Sequence, residues 1–253
     1  MKTLRDTWLI FRRALGLTLR NPAWIIIGLL QPLFFLTFFG PLLQPLAAAA
    51  GFPPGSALNM FVPGLLIQLG LFGTAFVGFG LIAEVRYGVL ERMRVTPVSR
   101  LALLLGRASR DILILLVQSV LLVAVAVPFG LRVDPVGLLV VLGLLVLMGL
   151  LMASVSYALA LWLRSEDALA PLLNMVTLPL LLLSGILLPI SLGPAWLQAL
   201  AAVNPLSHVV TAARALFNEQ LGDPSIPLAV GLMAVLAAVA LVTASRSFSR
   251  ATA

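Results

Sequence analysis

EVRYGVLERMRVTPVSRLALLLGRASR, residues Glu84 to Arg110, is the longest charged interruption between apolar runs in this chain of 253 residues. It carries six arginines (Arg86, Arg92, Arg94, Arg100, Arg107, Arg110) against two glutamates, Glu84 and Glu91. Thr96-Pro97 divides it, because proline denies the preceding residue the α region; a helix begun near Val85 therefore stops by about Val95. Ser99 is placed to cap a new helix. On a helical wheel Val85, Val89, Leu90 and Met93 share one arc and Glu84, Tyr87, Glu91 and Arg94 lie opposite, with Arg86 interrupting the apolar side. The spacing describes a short amphipathic helix at a water boundary, or a solvated loop between two membrane spans.

Working outward, the rest of the chain is apolar. It is 61% hydrophobic and 10% charged with a mean hydropathy of +1.14, whereas soluble domains carry about 25% charged residues. An integral membrane protein is the consequence, with the lipid bilayer as its first partner. The net charge of +7 does not point to nucleic acid, because the basic residues flank apolar spans in the pattern that sets membrane orientation. There is no cysteine, which excludes disulfides, thiolate metal sites and cysteine nucleophiles. A basic start, an apolar run and Ala47 to Ala50 imitate a secretory signal peptide, but the apolar run exceeds the roughly 7 to 15 residues of a signal core, so it reads as a retained span.

Residues 1–20 predict an amphipathic helix. Leu4, Trp8, Phe11, Leu15 and Leu19 form one arc, Lys2, Asp6, Arg13 and Arg20 the opposite one, and Arg5 and Arg12 the flank. Such a helix lies in the headgroup plane with its basic face toward water and anionic lipid. Six spans are expected, at 24–43, 59–83, 111–130, 136–163, 168–189 and 228–244, with the charged segment 84–100 between the second and third. Trp24 can anchor the first, residues 44–58 read as an uncharged loop, and Pro171 and Pro179 kink the fifth. Ser165 is expected to cap that span, with Glu166 and Asp167 in its first turn. Between the fifth and sixth, residues 194–222 are too polar to span. Asn204-Pro205 starts a helix there whose stripe of Leu206, Val209, Val210, Ala213, Phe217 and Leu221 ends at Gly222, lying flat or dipping into the outer leaflet as a re-entrant element.

Six spans put both termini on one side. Lys2, Arg5, Arg12, Arg13, Arg20, the six arginines of the central stretch, Arg164, Arg246 and Arg250 then share a face, leaving Arg132 and Arg214 opposite. Fourteen of sixteen basic residues on one side make that side cytoplasmic, in a prokaryotic inner or plasma membrane.

A search for catalytic chemistry finds no zinc-protease pattern, no nucleophile elbow and a single histidine, His208, on a polar face. Lys2 is the only lysine, so a GxxxxGK[ST] phosphate loop is impossible and the chain holds no ATPase site of that type. No cofactor or metal is expected on it. Glu84, Asp111, Arg164, Glu166 and Asp167 fall at expected span ends, which argues against coupling to an ion gradient through buried charges. Gln31, Gln68, Thr74, Gln118, Ser119, Ser154, Ser156, Asn174, Thr177 and Ser184 are mid-span and neutral, suited to hydrogen bonds between helices of about 1 kcal/mol each. Gly149, Ala153, Ser156 and Ala160 make a small-residue stripe for close helix approach. Phe72, Phe76 and Phe79 make an aromatic stripe; with Gln68, Thr74 and Asn174 they are either packing or the wall that a greasy, partly polar substrate would meet.

Glu84 to Gly88, Leu90 to Arg100 and Leu105-Gly106-Arg107 resemble the first cytoplasmic loop of type-2 ABC exporter permeases of the daunorubicin-resistance kind. Ser184-Gly185 through Pro189, Trp196-Leu197 and Asn204-Pro205-Leu206 running to Arg214 resemble the fifth span and outer helix of the same family. The resemblance covers nearly the whole chain. It implies a permease that pairs as a homodimer or heterodimer and binds two copies of a separate ATPase subunit, which would hold ATP and magnesium. It also implies that the central stretch is a coupling helix, assigning Glu84, Arg86, Gly88, Glu91, Arg92, Arg94, Pro97 and Arg100 to the ATPase contact, with a substrate path between protomers. Export of a hydrophobic drug, lipid or lipid-linked glycan is the leading expectation. An ion-coupled secondary carrier and a membrane scaffold that transports nothing are the rivals.

Overall fold

A computed structural model describes residues 2–49, 56–88, 99–186 and 190–251. Among them all regular structure is helical: α1 (Lys2–Arg20), α2 (Ala23–Ala49), α3 (Ser56–Ala75), α4 (Gly78–Arg86), α5 (Arg100–Ala126), α6 (Pro135–Leu163), α7 (Glu166–Leu182), α8 (Ala195–Val203), α9 (Pro205–Phe217) and α10 (Ser225–Ala251), with short 3-10 turns at Val127–Phe129 and Ile190–Leu192. Among the described residues five stretches are long and apolar enough to cross a membrane: Ile25–Leu43, Ala57–Arg86, Leu101–Phe129, Pro135–Leu163 and Ser225–Phe248. This is an all-α, multi-pass membrane protein. The expected crossing at 168–189 corresponds to α7, which has 17 residues. At helical rise it reaches roughly 26 Å, short of the roughly 30 Å hydrocarbon core.

Helix boundaries differ from the sequence expectations for local reasons. Part of the expected loop 44–58 is helical, because α2 continues to Ala49 through Pro45 and α3 begins at Ser56. The alanines after Pro45 are strong helix formers, and the proline removes a single rung. The second span is two helices, broken at Phe76-Val77. At the break the Gly78 N–H donates to Ser156 Oγ of α6 at 2.9 Å. A side chain at Gly78 would lie 2.7 Å from the Ser156 carbonyl oxygen and 3.1 Å from Ala160, so the small-residue stripe receives α4.

The third expected span belongs to α5, which starts at Arg100 behind the expected cap and so continues the helix eleven residues before 111. Ser99 is its cap, its Oγ accepting from the Ala102 N–H at 3.2 Å. Asp134 caps α6 through Gly137. Ser165 stands at the N-cap of α7, but its side chain makes no capping bond; Glu166 and Asp167 do lie in the first turn. α7 ends at Leu182 rather than 189, followed by Gly185 at φ +74°, a conformation glycine adopts without strain.

α9 carries the expected stripe, but Leu206, Val209, Val210, Ala213 and Phe217 are buried in the core. It packs against α3, α6 and α10. The helix ends at Phe217, and Leu221 beyond it is half exposed. The core has two parts. The larger joins α3, α5, α6, α9 and α10; the smaller centres on Leu81, Leu104, Tyr157, Leu169 and Phe248.

Candidate functional site at the charged end of the helical body

The C-terminus of α4, the first turns of α5, the last turns of α6 and the start of α7 converge at one end. Because α5 runs unbroken from Ser99, Arg107, Arg110 and Asp111 fall two to three turns inside an apolar helix. Ionisable side chains at that depth must pair. Arg107 Nη2 donates to Glu84 Oε2 of α4, and the arginine side chain is 6% exposed. Arg110 Nη2 lies 2.9 Å from Asp111 Oδ1, and Tyr157 of α6 donates its hydroxyl to Asp111 Oδ2. Arg110 Nη1 also reaches Thr18 Oγ1 of α1 at 3.1 Å. At the rim, Arg86 pairs with Glu166 of α7 at 3.3 Å with both side chains partly in solvent.

Asp111 is therefore inside a membrane-length helix and not at its end, which corrects the expectation that acids sit only at span ends. The missed residues, Arg107, Arg110, Asp111, Tyr157 and Thr18, carried one readable signal. A helix capped at Ser99 with no breaker before Val127 places an Arg-Asp pair three turns in.

Of the residues assigned to ATPase coupling, Glu84 and Arg86 end α4, Gly88 follows at φ +68° and Arg100 opens α5. Glu91, Arg92, Arg94 and Pro97 lie outside the described residues. Glu84 and Arg107 tie α4 to α5, the two helices that flank residues 89–98. α1 joins the same assembly along α5: a side chain at Gly106 would lie 2.7 Å from Ile10 and 2.9 Å from the Thr7 carbonyl oxygen.

The proposed substrate-path residues divide. Phe72, Phe76 and Phe79 form a continuous stack, with ring centroids 6.2 and 6.0 Å apart and planes within 14°. All three are half-buried, and Gly73 and Gly80 beside them face open space. Gln68, one turn from Phe72, is buried with its Oε1 unbonded. Thr74 turns to α6, near Gly149, and bonds its own helix at Gly70. Asn174 is exposed on α7, bonded to Ala170. Interhelical bonding by the neutral mid-span groups is confined to a few: Gln118 reaches the Ile25 carbonyl at 2.7 Å and Ser156 receives Gly78. Thr74, Ser119, Thr177 and Ser184 instead bond carbonyls of their own helical segments.

Among the described residues no cluster of His, Asp or Glu is arranged to hold a metal. Ion pairs and hydrogen bonds at this end link α4 to α5, α6 and α7, and α5 to α1 and α6.

The family model for the ABC-2 type transporter matches residues 5–218. The daunorubicin resistance ABC transporter permease protein DrrB1 of Streptomyces coeruleorubidus is 30% identical over 242 residues, 93% of this chain and 83% of that one. The transport permease ycf38 of Cyanophora paradoxa is 28% identical, covering 85% and 75%. The doxorubicin resistance ABC transporter permease protein DrrC of Mycobacterium tuberculosis is 24% identical, covering 94% and 85%. With its membrane-length helices and the arginine-rich segment between α4 and α5, the chain belongs to the ABC-2 type transporter family, as a permease of the daunorubicin-resistance-like kind.

Proposed function

We propose that this chain is the membrane-spanning subunit of an ATP-driven exporter that moves a hydrophobic or amphiphilic molecule, a drug, lipid or lipid-linked glycan, outward across the plasma membrane. A separate ATPase subunit, in two copies, holds ATP and magnesium, and two permeases pair as a homodimer or heterodimer. In this reading α7 is a sixth crossing whose far end breaks and re-enters as α8 and α9, and both termini are cytoplasmic. The observation that supports the proposal is the tying of α4 to α5 and α7, by Glu84–Arg107 and Arg86–Glu166, at the helix ends that flank residues 89–98. Those contacts give a docked ATPase a rigid handle on several helices.

The substrate passes the Phe72, Phe76 and Phe79 stack, with Gln68 a turn away and Asn174 on the exposed face of α7. Thr74 stands behind it. Asp111, the carboxylate an ion-coupled carrier would need, is already committed to Arg110 and Tyr157.

The test is uptake of a fluorescent amphiphile into inverted vesicles carrying the permease and its co-purifying ATPase. Uptake should require ATP and survive ionophores. Reversing Glu91 or Arg94, or replacing Gly88 with valine at its positive φ, should leave hydrolysis running while uptake falls. Unchanged uptake in all three variants removes the coupling role. Alanine at Phe72, Phe76 or Phe79 should alter substrate preference at constant ATPase binding; an unaltered preference makes the stack packing alone.

A further inference from the structure

We propose that α1 carries a binding site for the headgroup of an anionic phospholipid. Around its axis α1 has three sectors. Thr7, Ile10 and Thr18 face α5. Leu4, Trp8 and Leu19 point outward, 77%, 60% and 61% exposed. Leu9, Arg12, Arg13, Gly16, Leu17 and Arg20 line a shallow open groove of about 350 Å³.

The groove combines the two chemistries of a lipid head. Three guanidiniums within about two turns present forked donors matched to phosphate oxygens, and two leucines run beside them for the first carbons of an acyl chain. Gly16 is its floor, with nothing within 4 Å of where a side chain would begin. None of the three arginines takes part in an ion pair among the described residues, where the pairs are Arg86–Glu166, Arg107–Glu84 and Arg110–Asp111. The neighbouring apolar sector fixes the depth: Leu4, Trp8 and Leu19 belong at the boundary of headgroups and acyl chains, and that depth brings the arginines level with phosphate. A soluble acidic partner matches the charge but not the leucines and tryptophan beside it.

The site is tested on the full chain purified in neutral detergent, titrated with phosphatidylglycerol or phosphatidylcholine, with bound lipids counted by native mass spectrometry. Phosphatidylglycerol should be retained preferentially. Retention should fall about fivefold for each of Arg12→Gln, Arg13→Gln and Arg20→Gln, the effect of one basic residue at an anionic surface. Gly16→Leu, which fills the groove and leaves the charge alone, should also lower it, and Arg132→Gln should not. Equal retention of the two lipids, no loss in the triple arginine variant, or an equal loss in Arg132→Gln overturns the proposal. So does a triple variant that keeps its lipid and loses the co-purifying ATPase, or one in which free inorganic phosphate is retained in place of lipid. None of these readings requires transport, so they are independent of the exporter assignment.

Discussion

The two ends of the helical body solve the problem of buried arginine in different ways. At the charged end, Arg107 and Arg110 are matched by carboxylates, Glu84 and Asp111, with Tyr157 taking the remaining lone pair. At the far end Arg214 of α9 has no carboxylate among its contacts. Its Nε donates to the Met60 carbonyl at 2.9 Å, and its Nη2 to the carbonyls of Gly185 at 2.7 Å and Ile186 at 3.3 Å. Asn204 similarly holds the Leu180 carbonyl at 2.8 Å.

Each solution fits its setting. Where continuous helices cross, backbone carbonyls are used up within the helix, and an intruding charge needs a countercharge. Beyond the end of α7 the carbonyls of Gly185 and Ile186 lie outside any helix, and non-helical backbone at membrane depth survives only if protein satisfies it. Arg214 thus satisfies the backbone that follows α7 and ties it to α3. Close approach makes this possible: a side chain at Gly64 would lie 2.4 Å from the Ile186 carbonyl oxygen.

The contrast breaks if removing one partner has the same effect at both ends. Asp111→Asn strands Arg110 without its anion, so the largest loss is expected there, about 3 kcal/mol by denaturant unfolding in detergent. The pair replacement Arg110→Met with Asp111→Leu should recover most of it. Arg214→Met leaves orphaned carbonyls but no stranded charge, and about 2 kcal/mol should be lost. Lysine at 214 should not restore it, because one ammonium cannot reproduce the forked geometry. An Arg214→Met loss larger than that of Asp111→Asn would reverse the comparison.

Tyr157→Phe sharpens the charged end alone. It removes one hydrogen bond to Asp111 and should cost about 1 kcal/mol, without releasing the Arg110 pair. The smallest effect belongs to the far end, where Ser225, whose N–H donates to Asp223 Oδ1 at 2.8 Å, holds the exposed Asp223 carboxyl below the usual carboxylate range. A depressed native pKa stabilises above the unfolded value of about 3.9 and is lost as pH falls through the native one. Hydrogen exchange at the first turn of α10 should therefore speed up below about pH 4, and Asp223→Ala should abolish that dependence.

Much of the fold was legible because bilayer energetics act on composition. Runs of some twenty apolar residues marked the membrane-length helices, Asn204-Pro205 marked a helix start, and Ser99 marked the cap of α5. The expectation that Asp111 stands at a span end failed because α5 starts behind the Ser99 cap and carries Arg107, Arg110 and Asp111 inward, where partners meet them. Glu84 is 23 positions from Arg107 and Tyr157 is 46 from Asp111, and no periodicity within one helix reports them. The stripe of α9 reads the same whether it meets lipid or protein.

What the residues alone determined is the class of the molecule, an apolar helical body with one arginine-rich interruption and no GxxxxGK[ST] phosphate loop, because transfer free energies and missing residue types depend on the chain and not on its neighbours. Which charges face one another, where α3 and α4 part, and whether α9 rests on lipid or fills the core were decided by tertiary packing. A desolvated charge or a freed carbonyl is tolerable only where another segment delivers its partner.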